Sequence, residues 1–166
     1  AALIPQTFAF QIPATARWYS DSTAAVVLVS SLVTLLIFVW FNRASDGIVI
    51  IGLGLILNLL VIAVNGGLMP IAPETAMALF PDLPRNTWQV GTRPGRSKNI
   101  LLPSESTRLA DLSDAILLPE RFPWMRALSP GDLLIVLGVF WLLAFEWEQQ
   151  PARLTRTPEA YKEPVK

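Results

Sequence analysis

The sequence predicts an all-α fold: a polytopic membrane protein with three transmembrane helices, the end of a partial fourth before them, and a long loop before the last span. Three observations carry this. Of 166 residues, 52% are hydrophobic and only 16% charged, against about 25% charged in a soluble domain. Two consecutive runs, 22–42 and 47–69, contain no ionisable side chain, and each reaches the roughly 20 residues that cross a hydrocarbon core. A third apolar run, 133–145, follows a strong helix-start signal.

Residues 1–16, AALIPQTFAFQIPATA, carry no charge. They read as the tail of a truncated or processed helix or as an interfacial stretch, and a cleaved signal peptide would also leave an Ala start. Pro5 and Pro13 argue against one straight helix through them. The first span, 22–42, has Asp21 and Ser22 as capping residues and Trp18, Tyr19 and Trp40 where aromatic belts form. Arg43 and Asp46 fall in a turn too short for anything but an antiparallel return. The second span, 47–69, is slightly longer than the minimum and crosses with some tilt.

Residues 70–129 are rich in proline and charge and form an extramembrane loop with short helices. Pro73-Glu74 suits the first turn of a helix reaching Phe80. Residues 106–118, STRLADLSDAILL, place Leu109, Leu112 and Ile116 on one apolar helical face. Residues 93–99, RPGRSKN, read as a solvated basic turn. In the third span, 130–147, Ser129 caps the helix, Pro130 takes its first position and Asp132 its third. That length gives about 27 Å of helix. Residues 148–166 form a polar extended tail without an apolar face.

Composition excludes more than it assigns. Cysteine and histidine are both absent, so thiolate zinc, iron–sulfur clusters, ligated haem, and catalysis that depends on Cys or His have no side chains to work with. No cofactor is ligated by His or Cys, although a bound lipid or pigment could still be contacted. Thirteen basic and 13 acidic residues cancel, which gives no reason to expect nucleic-acid binding. Lys and Arg near the spans are nearly balanced, so orientation is not determined.

The most distinctive stretch is 58–70, NLLVIAVNGGLMP. Gly54, Asn58, Val61 and Asn65 share one helical stripe, and a bilayer penalises an unpaired amide, so both asparagines should face protein. They serve interhelical hydrogen bonding, or, with Ser30 or Thr34, they line a polar pathway. Gly66 and Gly67 permit positive φ and would end the helix before Pro70. Asp111, Asp114 and Asp132 are the carboxylates available for acid–base work or a divalent cation. Their ordinary roles are a helix cap for Asp132 and a polar helix face for the other two.

NLLVIAVNGGLMPIAPE resembles the signature of an uncharacterised family of small bacterial multi-spanning membrane proteins, marked by Asn-x-x-Val-Ile-x-x-Asn-Gly-Gly-x-Met-Pro. Residues 112–119, LSDAILLP, and the helix start SPGDLLIVLG at Ser129, Gly131 and Asp132 are similar to two further family segments, so the resemblance covers roughly 53–138. Leu68 stands where the family often has Arg, and Ser113 replaces the Gly before Asp114. The resemblance implies about one and a half further helices before residue 1 and a loop outside the cytoplasm. It implies no chemistry.

The expected function is therefore non-catalytic: a structural or accessory subunit in a bacterial inner (plasma) membrane, multi-pass, contacting lipids and other integral membrane subunits, with a bioenergetic or photosynthetic complex as one home. No catalytic or metal-ligating residue is expected. The helix-packing or pathway residues are Thr34, Gly54, Asn58, Asn65, Gly66 and Gly67, and the loop and helix-start residues are Asp114, Ser129, Gly131 and Asp132. The alternatives are a small-solute or lipid transporter with a pathway at Asn58 and Asn65, and a membrane enzyme using loop carboxylates.

Overall fold

A computed structural model describes residues 20–79, 81–82, 84, 88–94, 97–118 and 127–146. The expectations for 1–16, for the aromatic anchors Trp18 and Tyr19, for Trp147 and for the tail 148–166 lie outside these residues.

The described chain is mostly helical. Helix α1 (Asp21–Phe41) and helix α2 (Asp46–Val64) follow the two uncharged runs. The cap of α1 is Ser20 rather than Asp21 or Ser22: its side chain accepts from the Thr23 backbone N–H at 3.2 Å. Ser45 does the same for α2 through the Ile48 N–H at 3.3 Å. In each case Asp occupies the first turn, where the helix dipole favours an anion.

Helix α2 stops at Val64, five residues short of the 47–69 expectation. Asn65 caps it, Gly66 and Gly67 take φ of +88° and +91°, and the Gly67 N–H donates to the Ile62 carbonyl at 2.8 Å. This is the six-to-one bond of a Schellman turn, which needs a residue at ease in the left-handed region. Leu68 and Met69 are apolar because they are buried in the fold, at 2% and 0% exposure, not because they extend the span.

Strand β1 (Met69–Ile71) pairs in parallel with β2 (Asn99–Leu101), Met69 opposite Asn99. Between them lies the short helix α3 (Pro73–Leu79). The 106–118 helix does not form. Instead there are two 3₁₀ turns, Ser104–Ser106 and Ala110–Leu112, with Leu109 at φ +55° between them. Strand β3 (Ile116–Leu117) then pairs antiparallel with β4 (Ala127–Leu128). A helix here would have turned Asp114 to solvent, whereas tertiary contacts bury it at 2% exposure. The all-α expectation is thus corrected to a mostly helical fold with two small two-stranded sheets.

Helix α4 (Pro130–Trp141) continues as a π turn, Leu142–Glu146. Two described helices, α1 and α2, are long and apolar enough to cross a membrane, while Pro130–Phe145 is shorter. The main helix contact is between α2 and α4. It is antiparallel, because Gly47 meets Gly138 and Gly54 meets Gly131. A Cβ on Gly138 would lie 2.7 Å from the Gly47 carbonyl oxygen, so backbone touches backbone along this seam. Small residues at seven-residue spacing allow that approach.

One core joins α1, α2 and the strand that follows, through Ala24, Leu28, Leu32, Leu55, Val61, Ile62, Leu68 and Met69. A smaller one, Ile71, Ala76 and Leu101 with Leu79 and Trp88, holds the loop together.

Candidate functional site

The polar residues of α2, α4 and the loop meet where the loop covers the helix ends. Ser129 and Asp132 form a reciprocal capping box: the Asp132 N–H donates to Ser129 Oγ at 3.0 Å, and the Ser129 N–H donates to Asp132 Oδ2 at 3.1 Å. Asn58 of α2 closes this box into a ring. Its Nδ2 donates to Asp132 Oδ1 at 2.8 Å, and its Oδ1 accepts from Ser129 Oγ at 2.8 Å. Every donor and acceptor in the ring that faces another element has a partner, which is the condition under which a buried polar network stabilises instead of costing energy. Gly131 makes room for it, since any Cβ there would fall against Asn58 Oδ1.

A second cluster sits beside the ring. Lys98 Nζ lies 3.0 Å from Asp114 Oδ2, and the Asn99 amide donates to the same oxygen at 2.7 Å. Burial works against the Lys98 ammonium, but the charges of Asp114 and Asp132, with the hydrogen bond to Asp114, outweigh it and hold its pKa above the ordinary value. Lys98 therefore stays charged and links the two carboxylates electrostatically. Asp114 Oδ1 is buried and has no hydrogen-bond partner. An orphaned buried acceptor of this kind ordinarily costs about 1–3 kcal/mol.

Two further contacts tie the loop down. Asn65 donates from Nδ2 to the Arg108 carbonyl at 2.7 Å and accepts the Arg108 N–H at 3.0 Å, gripping both backbone groups of one residue. Arg93, with a side chain 3% exposed, reaches Asp21 at the start of α1, Nη1 to Oδ1 at 3.2 Å. Replacing Asn65 with Ala should cost about 1–2 kcal/mol. Hydrogen exchange at the Arg108 amide should rise selectively, and unchanged protection there would show that the grip is unimportant.

The structure brings Asn58, Ser129, Gly131 and Asp132 together, with Gly54 packed on the same seam. It places Asp114 next to them through Lys98. Asn65, Gly66 and Gly67 form the α2 stop, and Asn65 faces the loop instead of Asn58. Thr34 joins none of these. Its hydroxyl donates to the Ser30 carbonyl at 2.8 Å, and it lines an open apolar groove of about 540 Å³ with Ala25, Val26, Val29, Ser30, Val33 and Gly67. Asp111 is exposed. Among the described residues no group of three or more His, Cys, Asp or Glu is placed to hold a metal ion.

The sequence suggests no more than a solvated basic turn for Arg93, Lys98 and Asn99, yet they supply the partners of Asp21 and Asp114. For Lys98 the available signal is the need of a buried loop carboxylate, Asp114, for a cation nearby.

The chain matches a family of unknown function, DUF5317, over residues 1–144. It is 31% identical over 133 residues to an uncharacterized protein of Thermotoga maritima, covering 78% of this chain and 70% of that relative. No solved structure matches it. With the match running from residue 1 through α4 and most of its π turn, the chain belongs to the DUF5317 family.

Proposed function

We propose that this chain is a non-catalytic, multi-pass protein of the bacterial plasma membrane that acts as a structural or accessory subunit, with α1, α2 and the α4 segment as its three spans. The observation that carries the reading is the direction its side chains face. Large apolar residues point outward along α1, α4 and its π turn, including Val26 at 66% exposure, Phe41 at 80%, Phe140 at 62% and Leu143 at 64%. Most of α1 and α2 is uncovered within the chain, whereas a core helix of a soluble protein would be covered by its own fold. Such faces need lipid or the helices of other membrane proteins.

The polar groups do the opposite. Asn58, Ser129 and Asp132 satisfy one another inside the fold, which favours a fixed scaffold over a reacting centre. Asn58 to Pro70 and Ser129 to Asp132 supply the two sides of that ring, and this supports reading both stretches as the family's signature. The loop, latched by Asn65 and Arg93, is the surface offered to partners outside the bilayer.

Two measurements test the reading. Membranes washed in alkaline carbonate should retain the chain, and its release into the supernatant would refute the membrane assignment. Mild-detergent purification from native membranes should yield a particle much larger than the 18.3 kDa chain, with other integral proteins identified by mass spectrometry. A monodisperse single chain would refute the accessory role.

A transport pathway through Thr34, Asn58 and Asn65 is the competing reading. The three side chains engage different partners, which speaks against it. Solute flux in proteoliposomes that disappears on Asn65→Leu would reverse that judgement.

A further inference from the structure

We propose that Asp114, beside Lys98 and Asp132, binds one small monovalent cation at the junction of the loop and the helix ends. Among the described residues three formal charges act on one another there, the carboxylates of Asp114 and Asp132 and the Lys98 ammonium, and they sum to −1. The remaining described polar partners, Asn58, Asn99 and Ser129, are neutral.

The hydrogen bonding shows where the uncompensated charge lies. Asp132 has both oxygens engaged, Oδ1 by Asn58 and Oδ2 by the Ser129 N–H. Asp114 has only Oδ2 engaged, by Lys98 and Asn99. Its Oδ1 is enclosed, in a side chain 2% exposed, and has no partner. A buried carboxylate oxygen in a net-anionic setting attracts a positive charge more strongly than it attracts a neutral water.

The class of cation follows from the neighbours. A divalent ion wants several carboxylates, but only two are present among the described residues and an ammonium already lies 3.0 Å from Asp114 Oδ2. One more positive charge brings the cluster to zero, whereas two would overshoot it. The unengaged carboxylate oxygen, Asp114 Oδ1, suits a hard ion such as sodium or potassium, with water completing its shell. The Lys98 side chain, 39% exposed, gives the cluster a flank that solvent reaches.

The test uses the full chain in detergent micelles at constant pH and ionic strength, exchanging choline chloride for sodium chloride or potassium chloride. One of the two salts should raise the melting temperature saturably, by about 5–10 °C at a hundred times the half-saturating concentration. Asp114→Asn should abolish the rise. Lys98→Met makes the cluster more anionic and should lower the half-saturating concentration about tenfold, whereas a purely structural ion pair predicts no gain in cation response.

Identical melting in choline, sodium and potassium would overturn the proposal and leave Oδ1 to an ordinary water. A response that survives Asp114→Asn, or one that Lys98→Met weakens or leaves unchanged, would overturn it too. If a variant fails to fold, hydrogen exchange on the unmodified chain decides. Cation-dependent protection at the Asp114 amide supports the site, and protection confined to other segments overturns it. None of these outcomes depends on whether the chain has membrane partners.

Discussion

Replacing Gly131 with Ala should destabilise the folded chain by about 3 kcal/mol, at the upper end of what one added methyl costs in a packed interior. The added Cβ would fall against Asn58 Oδ1 and within 2.7 Å of both Asn58 Cγ and the Gly54 carbonyl oxygen. The Gly54 oxygen belongs to backbone and cannot swing aside. Either α4 moves off α2 and opens the glycine seam, or Asn58 turns away and abandons Ser129 and Asp132. Gly66→Ala is the control, because nothing lies within 4 Å of that position and only its φ of +88° is strained. It should cost about 1 kcal/mol. Unfolding both variants in mixed micelles measures the difference, and equal stabilities would mean that the seam is not in close contact.

Lys98→Met should have the next largest effect. A fully buried pair that loses one partner is destabilised by about 3–5 kcal/mol, but the Lys98 side chain is 39% exposed. Solvent screening lowers the expected loss to about 2 kcal/mol. The same residue sets an alkaline limit. Its pKa is raised on folding, so its contribution is complete below the ordinary 10.5 and is lost as pH climbs through the higher folded value. Denaturation followed from pH 8 upward should therefore show a decline above about 10.5 in the unmodified chain that is absent in Lys98→Met. A decline of the same size in both would move its origin to another group.

The two long helices could be read from sequence because a run without ionisable side chains has few other uses, and Ser129-Pro130-Gly131-Asp132 because capping is local chemistry. Residues 68–69 and 106–118 were misread for a shared reason: periodicity and hydropathy report that a side chain is buried, not what buries it. Leu68 and Met69 are covered by the core they share with α1 and α2. Leu109 takes a left-handed backbone between two 3₁₀ turns, next to the Arg108 backbone that Asn65 grips. Of the site, Asn58, Ser129, Gly131 and Asp132 were legible as inward-facing polar or small residues. Arg93 and Lys98 were not, because their partners Asp21 and Asp114 lie 72 and 16 positions away in the chain.

The seam between α2 and α4 also bears on how the protein is made. Asn58 and Asp132 are 74 residues apart, a stretch that takes on the order of 4–15 s to translate. On the membrane reading proposed above, the α1–α2 hairpin would meanwhile present a glycine-lined face and an Asn58 amide without its α4 partners to whatever surrounds the translocation machinery. A nascent chain stalled just before Pro130 should therefore be held by an insertion factor or degraded, and the arrival of α4 marks the end of its dependence on that help.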